Sequence, residues 1–356
     1  MKLLLTLLAL VLSNTIFSQI PTGYYDSAMG YTGDSLKIKL HHIIKDHTEF
    51  PYTSSGTDVW DILKETDRDP NNSDNVILIY SGISINAAQE YNNADGWTRE
   101  HVWAKSRGDF GTTTGPGTDV HALRPLDNTT NTTRNNRSFD NCITCLDVID
   151  RWGNTTGSKK DSNIWTFEPR DEVKGDVARM IFYMTIRYEG LDSYPDLELT
   201  ELVLPQENDD PVHGVLSTLL EWHRIDPVDD WEKNRNNIIY YSYQNNRNPF
   251  IDNPFLATLI WSGPNAENKW NFNSTNNKYN HAIEMAYNSY ENTISLNHIE
   301  NENLKTVELL NLNGQIIEMF YSSNFSLPNI SKGIYFIKLN LGNEVLIRKI
   351  FVSLPF

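Results

Sequence analysis

Trp97-Thr-Arg-Glu-His-Val-Trp-Ala-Lys-Ser106 is followed by a Gly- and Thr-rich loop and by Asp119-Val-His-Ala-Leu-Arg-Pro125. Next comes Leu126-Asp-Asn-Thr-Thr-Asn-Thr-Thr-Arg-Asn-Asn-Arg-Ser-Phe139. The order reads as a strand, a second strand and a polar helix rich in Asn and Arg. A hairpin and helix of this kind can hold a hard divalent cation between a carboxylate and an amide oxygen, with an imidazole beside it, because hard cations take oxygen ligands. Glu100 and His101 are chain neighbours, and neighbours in a regular strand point to opposite faces. For both to serve one site, the strand must end, twist or bulge there. Such an irregularity is expected.

Around this stretch, residues 19–262 read as one helix-rich α+β domain. Residues 34–47 place Leu36, Ile38, Leu40, Ile43 and Ile44 at helical spacing ahead of Pro51. Residues 76–81 (Val-Ile-Leu-Ile-Tyr-Ser) read as a buried strand. Residues 171–188 read as a helix with Val173, Val177, Met180, Ile181, Met184 and Tyr188 on one side, and 212–224 and 231–242 as two more. Residues 263–280 are poor in aliphatics and read as a linker. Residues 281–356 carry short alternating runs from Thr293, Thr306, Gln315, Gly333 and Val345. Turn signals at Asn313-Gly314, Lys332-Gly333 and Leu341-Gly342-Asn343 separate the later ones, which predicts a small all-β sandwich. It offers no nucleophile–base pair and no metal-ligand cluster, so the chemistry belongs upstream.

The chain has 356 residues, 39% of them hydrophobic and 11% aromatic, which excludes wholesale disorder. A formal charge of −16 argues against a basic nucleic-acid coat or a polybasic membrane binder. Residues 97–190, however, hold thirteen Lys plus Arg and thirteen Asp plus Glu, so the whole deficit lies outside that segment. Lys2, the apolar run from Leu3 to Leu12 and a small polar tail predict a secretory signal peptide over residues 1–18. The run is shorter than the ~20 residues that span a bilayer, and no membrane span is expected. Cys142 and Cys145 are the only cysteines. A zinc site needs more ligands of this kind, and a thioredoxin-like role needs a βαβ setting. In an exported protein the pair reads as a short-loop structural disulfide.

Arg99-Glu100-His101-Val102 with Lys105-Ser106, then Asp119-x-His121-x-Leu123-x-Pro125, then Asn131-x-x-Arg134-x-Asn136 resembles the endonuclease I family of secreted, non-specific nucleases with a ββα-metal (His-Me finger) active site. The run from Phe167 to Arg179 and the segments at Asp226 to Lys233 and Asn246 to Asp252 fit the same pattern. The likeness covers most of residues 20–255. Thr98, Ala104 and Asn253 depart from the commonly seen Asn, Pro and His. The terminal module resembles the sorting domain of type IX secretion cargo at Leu312-Asn313-Gly314-Gln315, Ile330 to Phe336 and Arg348-Lys349-Ile350. Met285-Ala-Tyr-Asn-Ser stands where such modules commonly open with Pro-Asn-Pro.

The first resemblance implies that His101 is the general base for water attacking a phosphodiester. It implies that Glu100 and Asn131 hold one Mg²⁺, with Mn²⁺ or Ca²⁺ as substitutes, and it puts Arg134 at a phosphate. It implies a non-specific endonuclease on DNA and RNA leaving 5′-phosphate ends. The second implies export through the type IX machinery to the medium or the cell surface. Elementary chemistry agrees: an imidazole is neutral, hence a working base, near physiological pH, and hard Mg²⁺ leaves it free by preferring oxygen. His121 is expected to be structural or orienting. Arg170, Lys174 and Arg179 are read either as a basic edge or as a solvated helix face. Two rivals are a phosphodiesterase acting on another ester and an inactive exported binding protein.

Overall fold

The computed structural model describes residues 20–270, 284–288, 292–297, 304–311, 314–331, 333–341 and 344–352. The signal peptide, residues 271–280 of the linker, His281 and His298 lie outside these, as do Leu312, Asn313 and Lys332 of the sorting motifs. Helix α1 (Gly33–Ile44) buries Leu36, Leu40 and Ile44, a spacing of four that lines one face. Helix α2 (Val59–Thr66) starts at a capping box: Asp58 accepts from the amides of Trp60 and Asp61, and Asp61 reaches back to the Asp58 amide. Strand β1 (Asn72–Ile77) pairs antiparallel with β2 (Ser84–Asn86).

The strand expected over 76–81 therefore stops at Ile77. Leu78, Ile79 and Tyr80 continue as irregular chain, yet each is fully buried. The Ile79 amide donates to the Pro125 carbonyl (3.0 Å) and the Leu78 amide to that of Ile83 (2.9 Å). The apolar run reports burial, and irregular hydrogen bonds satisfy its backbone.

Strands β3 (Trp97–His101) and β4 (Leu123–Asp127) form an antiparallel hairpin pair, and α3 (Asn128–Arg134) follows directly. Asp127 caps α3 by accepting from the Thr130 amide at 2.9 Å. Strands β5 (Ser138–Phe139), β6 (Cys145–Ile149), β7 (Thr155–Asp161) and β8 (Thr166–Glu168) make a four-stranded sheet in the order β5-β8-β7-β6. Cys142 and Cys145 are bonded to each other there, with Cα atoms 5.4 Å apart.

Helix α4 (Lys174–Arg187) is buried along nearly its whole length and forms the spine of the main core. A 3-10 turn, Asp171–Val173, leads into it. Around it stand α5 (Leu216–Ile225), α6 (Asp230–Ile238), α7 (Pro249–Asp252) and α8 (Phe255–Trp261). The helix expected from 212 starts only at Leu216, because Val212–His213 pairs with Glu198–Leu199 instead. Arg179 ties α4 to α6 through two bonds of 2.6 Å to Glu232.

His121 and His223 sit in this core, Nε2 of each against a carbonyl, Asn246 at 3.2 Å and Pro254 at 2.9 Å. Burial pushes both rings down to about 3. Their folded values lie below the free value near 6.5, so the native state binds fewer protons than the unfolded one. The stability they confer is complete above about pH 6.5 and is lost as pH falls toward 3. The unfolding free energy should fall across that window by on the order of a few kcal/mol per ring, and the urea midpoint with it. A midpoint unchanged between pH 7 and 4 would contradict this.

The C-terminal region contains β9 (Glu284–Asn288), β10 (Thr293–Asn297), β11 (Thr306–Leu310), β12 (Ile316–Phe320), β13 (Asn324–Ser326), β14 (Gly333–Leu341) and β15 (Glu344–Val352). They form two antiparallel sheets, β9-β10-β13 and β12-β11-β14-β15. Ile294, Leu296 and Phe325 of the first meet Val307, Leu309, Ile337, Leu339 and Ile350 of the second in one core. The alternation predicted from the sequence thus makes a sandwich.

Candidate active site

His101 is the last residue of β3, paired with Leu123, and only 8% exposed. Its Nε2 lies 2.9 Å from the Gly117 carbonyl. A carbonyl can only accept, so this contact assigns the proton to Nε2 and leaves the Nδ1 lone pair free. The ring stacks on Tyr52 (centroids 5.6 Å, 22° between planes). Burial pushes it down to about 3, so it is neutral across the physiological range.

Gly117 is placed by its surroundings. A Cβ there would come within 2.6 Å of the Thr113 carbonyl and 2.8 Å of that of Gly111, so the tight loop needs glycine. Asp119, two residues on, fixes the loop's exit. Its carboxylate accepts from the His121 amide (3.0 Å), Gln244 (3.0 Å), Tyr183 (2.8 Å) and Tyr188 (3.0 Å). The sequence left the group orienting His101 unnamed, since a backbone carbonyl has no residue type; the cluster of glycines from Gly108 to Gly117 was its only trace.

Glu100 is 2% exposed. Its Oε1 accepts from Tyr80 (3.0 Å) and lies 3.4 Å from Arg134 Nε, while Oε2 takes no hydrogen bond from the described residues. Desolvation pushes this carboxyl up to about 7 against the opposing pull of Arg134. The pairing of β3 with β4 is regular to its end, without a bulge. The expected twist or bulge is not found; the strand ends at His101, and Glu100 and His101 keep the opposite sides of a regular strand. Arg99 and His101 share Tyr52 on one side, and Glu100 meets Tyr80 and Arg134 on the other. Arg134 Nη1 also donates to the main-chain carbonyl of His101 (3.1 Å).

Asn131 is half-buried on α3, one turn before Arg134. Residues three apart are neighbours on a helix surface, so Asn131 stands next to Arg134 along α3. Its side chain makes no hydrogen bond among the described residues. Arg134 itself differs from its expected place at a phosphate. It is 1% exposed, donates to the carbonyls of His101, Val102 and Asn135, and contacts His213 at 3.2 Å. That guanidinium is a strut inside the hairpin–helix junction.

Of the two readings of Arg170, Lys174 and Arg179, the basic edge is not seen, since each is paired with a carboxylate. Arg170 bonds Glu172, Lys174 pairs with Glu168 and Asp171, and Arg179 is fully buried on Glu232. The exposed cation near the imidazole is Lys105, whose charge acts to lower the His101 ring.

An antiparallel hairpin closed by a short polar helix, with an imidazole at the end of its first strand and a buried carboxylate beside it, is the frame of a ββα nuclease. The endonuclease I family matches residues 32–255, and the chain belongs to that family. Over 238 residues it is 53% identical to an extracellular ribonuclease of Bacillus subtilis (strain 168) and 50% identical to one of Bacillus amyloliquefaciens. Each alignment covers 67% of this chain and 78% of the relative. Residues 288–353 match the secretion system C-terminal sorting domain. The chain is a secreted or cell-surface nuclease carrying its own sorting module. No helix among the described residues is long and apolar enough to cross a membrane.

Proposed function

We propose that the protein is a Mg²⁺-dependent, non-specific endonuclease acting on RNA and DNA, with His101 as general base. The observation that carries this reading is the His101 ring, neutral, stacked, and held by Gly117 so that Nδ1 keeps its lone pair. Nδ1 takes a proton from water, the water oxygen attacks phosphorus, the bond from phosphorus to O3′ breaks with O3′ taking a proton from a solvent water, and the imidazolium returns its proton to solvent. The products are a 5′-phosphate and a 3′-hydroxyl. An anionic phosphate beside the ring raises its proton affinity at the moment of transfer. The position of His101 at the strand's end supports a phosphate lying across that end, within reach of both sides of β3. Lys105 is the candidate phosphate contact in place of Arg134.

The residues present fit a hard cation. Glu100 is a buried carboxylate with one oxygen lacking a protein donor, and Asn131 offers an uncommitted amide oxygen on the facing helix. Carboxylate, amide and water oxygens are the ligands Mg²⁺ prefers. A cation held there would offset charge developing on the phosphate and the leaving oxygen. Purified protein should nick and degrade both circular DNA and a structured RNA with Mg²⁺ present, and EDTA should stop it. Intact substrates under every divalent metal would favour an inactive binding protein. Cleavage of small diesters alone would favour another phosphodiesterase.

A further inference from the structure

A groove of about 340 Å³ opens between the β1–β2 hairpin and the turn joining β6 to β7, lined by Ile83, Ile85, Gln89, Asp95, Trp152 and Asn154. Trp152 is 43% exposed there. We propose that this groove is a base-stacking subsite that holds an unpaired nucleotide of a single-stranded substrate, on the nuclease reading given above.

The turn carrying Trp152 is fixed before any ligand arrives. Asp150 Oδ1 accepts from the amides of Trp152 and Asn154, each at 2.8 Å. The Arg151 amide donates to Asp127 Oδ1 (3.2 Å), the same oxygen that caps α3. The indole is thereby tethered to the first turn of the helix that carries Asn131. The opposite wall is tied to β3, since the Gln89 carbonyl accepts from the Trp97 amide at 3.0 Å. From Trp97 to His101 the strand covers about 13 Å at roughly 3.3 Å per residue, a gap that a short extended strand can span. The groove therefore adjoins the far end of the same hairpin and helix that present Glu100, His101 and Asn131.

Its chemistry suits a base. The indole offers a π-face that any base can use. Ile83 and Ile85 supply apolar walls, and the amides of Gln89 and Asn154 offer uncharged donors and acceptors to a base edge. The Asp95 carboxylate, which would repel a phosphate, is already paired with Arg151. Paired bases in a duplex are stacked on their neighbours and cannot enter, so the groove favours single strands.

The test measures binding rather than turnover, using His101→Ala protein with Ca²⁺ so that the ligand stays whole. A fluorescent oligoadenylate and a DNA duplex of equal length are titrated into it, with and without Trp152→Ala or Trp152→Phe. Trp152→Ala should weaken oligoadenylate binding by about 5- to 150-fold, Trp152→Phe should recover most of that, and duplex binding should change less than about twofold. Unchanged oligoadenylate affinity, or equal loss for both ligands, overturns the subsite. Trp152 is exposed, so the fold should survive, and a melting curve checks it. Duplex cleavage by the single Trp152→Ala enzyme keeps this outcome separate from the nuclease reading.

Discussion

His101→Ala is expected to lower phosphodiester cleavage by at least about 10²–10⁴-fold, the contribution of a positioned general base, while the protein stays folded. The ring makes one hydrogen bond, to the Gly117 carbonyl, and meets two aromatic rings, Tyr52 and Phe110. Its loss leaves a small space and one carbonyl short of a donor, not a buried unpaired charge, so the melting point should fall only modestly. Steady-state rates on plasmid and RNA, read beside circular dichroism, check both halves. A folded variant within about tenfold of the parent rate would remove His101 from the chemistry. Raising Mg²⁺ should not rescue it, because nothing about the metal ligands has changed.

Glu100→Gln should fail differently. The amide keeps the volume and can still accept from Tyr80, but it gives up the charge that a dication needs. Changes behind a metal ligand already cost about 10–100-fold in affinity, so losing a charged ligand should raise the Mg²⁺ needed for half-maximal activity by at least that factor. Activity should then partly return at high Mg²⁺. Arg134 keeps its three carbonyl partners, so the hairpin–helix junction should hold. Full activity at the parent's Mg²⁺ concentration would mean that the cation does not sit on this carboxylate.

Much of this site is written in residue types. Glu100, His101 and Asn131 declare themselves as carboxylate, imidazole and amide on a strand–strand–helix pattern, and β3, β4 and α3 follow that pattern. Direction was harder to see. Arg134 is a cation one turn from a metal-ligand candidate, and the family resemblance implies a phosphate contact for it. It turns inward because the last turn of α3 packs on the end of β3, where the carbonyls of His101 and Val102 need a donor. The same blindness hid Gly117. For residues 76–81 the hydrophobic run signalled burial, and only the partners of the Leu78 and Ile79 amides distinguish it from a strand. The C-terminal sandwich was the easier half, because its strands alternate with period two around short turns and burial on one face is all the pattern has to encode.

The proposed chemistry needs a cation at Glu100 and Asn131 beside a proton-accepting His101. The most direct measurement is anomalous diffraction from crystals of the His101→Ala protein soaked with Mn²⁺. The expected result is a peak bound by a Glu100 carboxylate oxygen and the Asn131 amide oxygen, each about 2.1 Å away in the manner of a hard octahedral ion. The other acidic cluster, Glu189, Asp196 and Glu198, already has Lys37 bonded into it at Glu189 and Glu198 and should stay dark. A peak at that cluster with none at Glu100 would contradict the assignment.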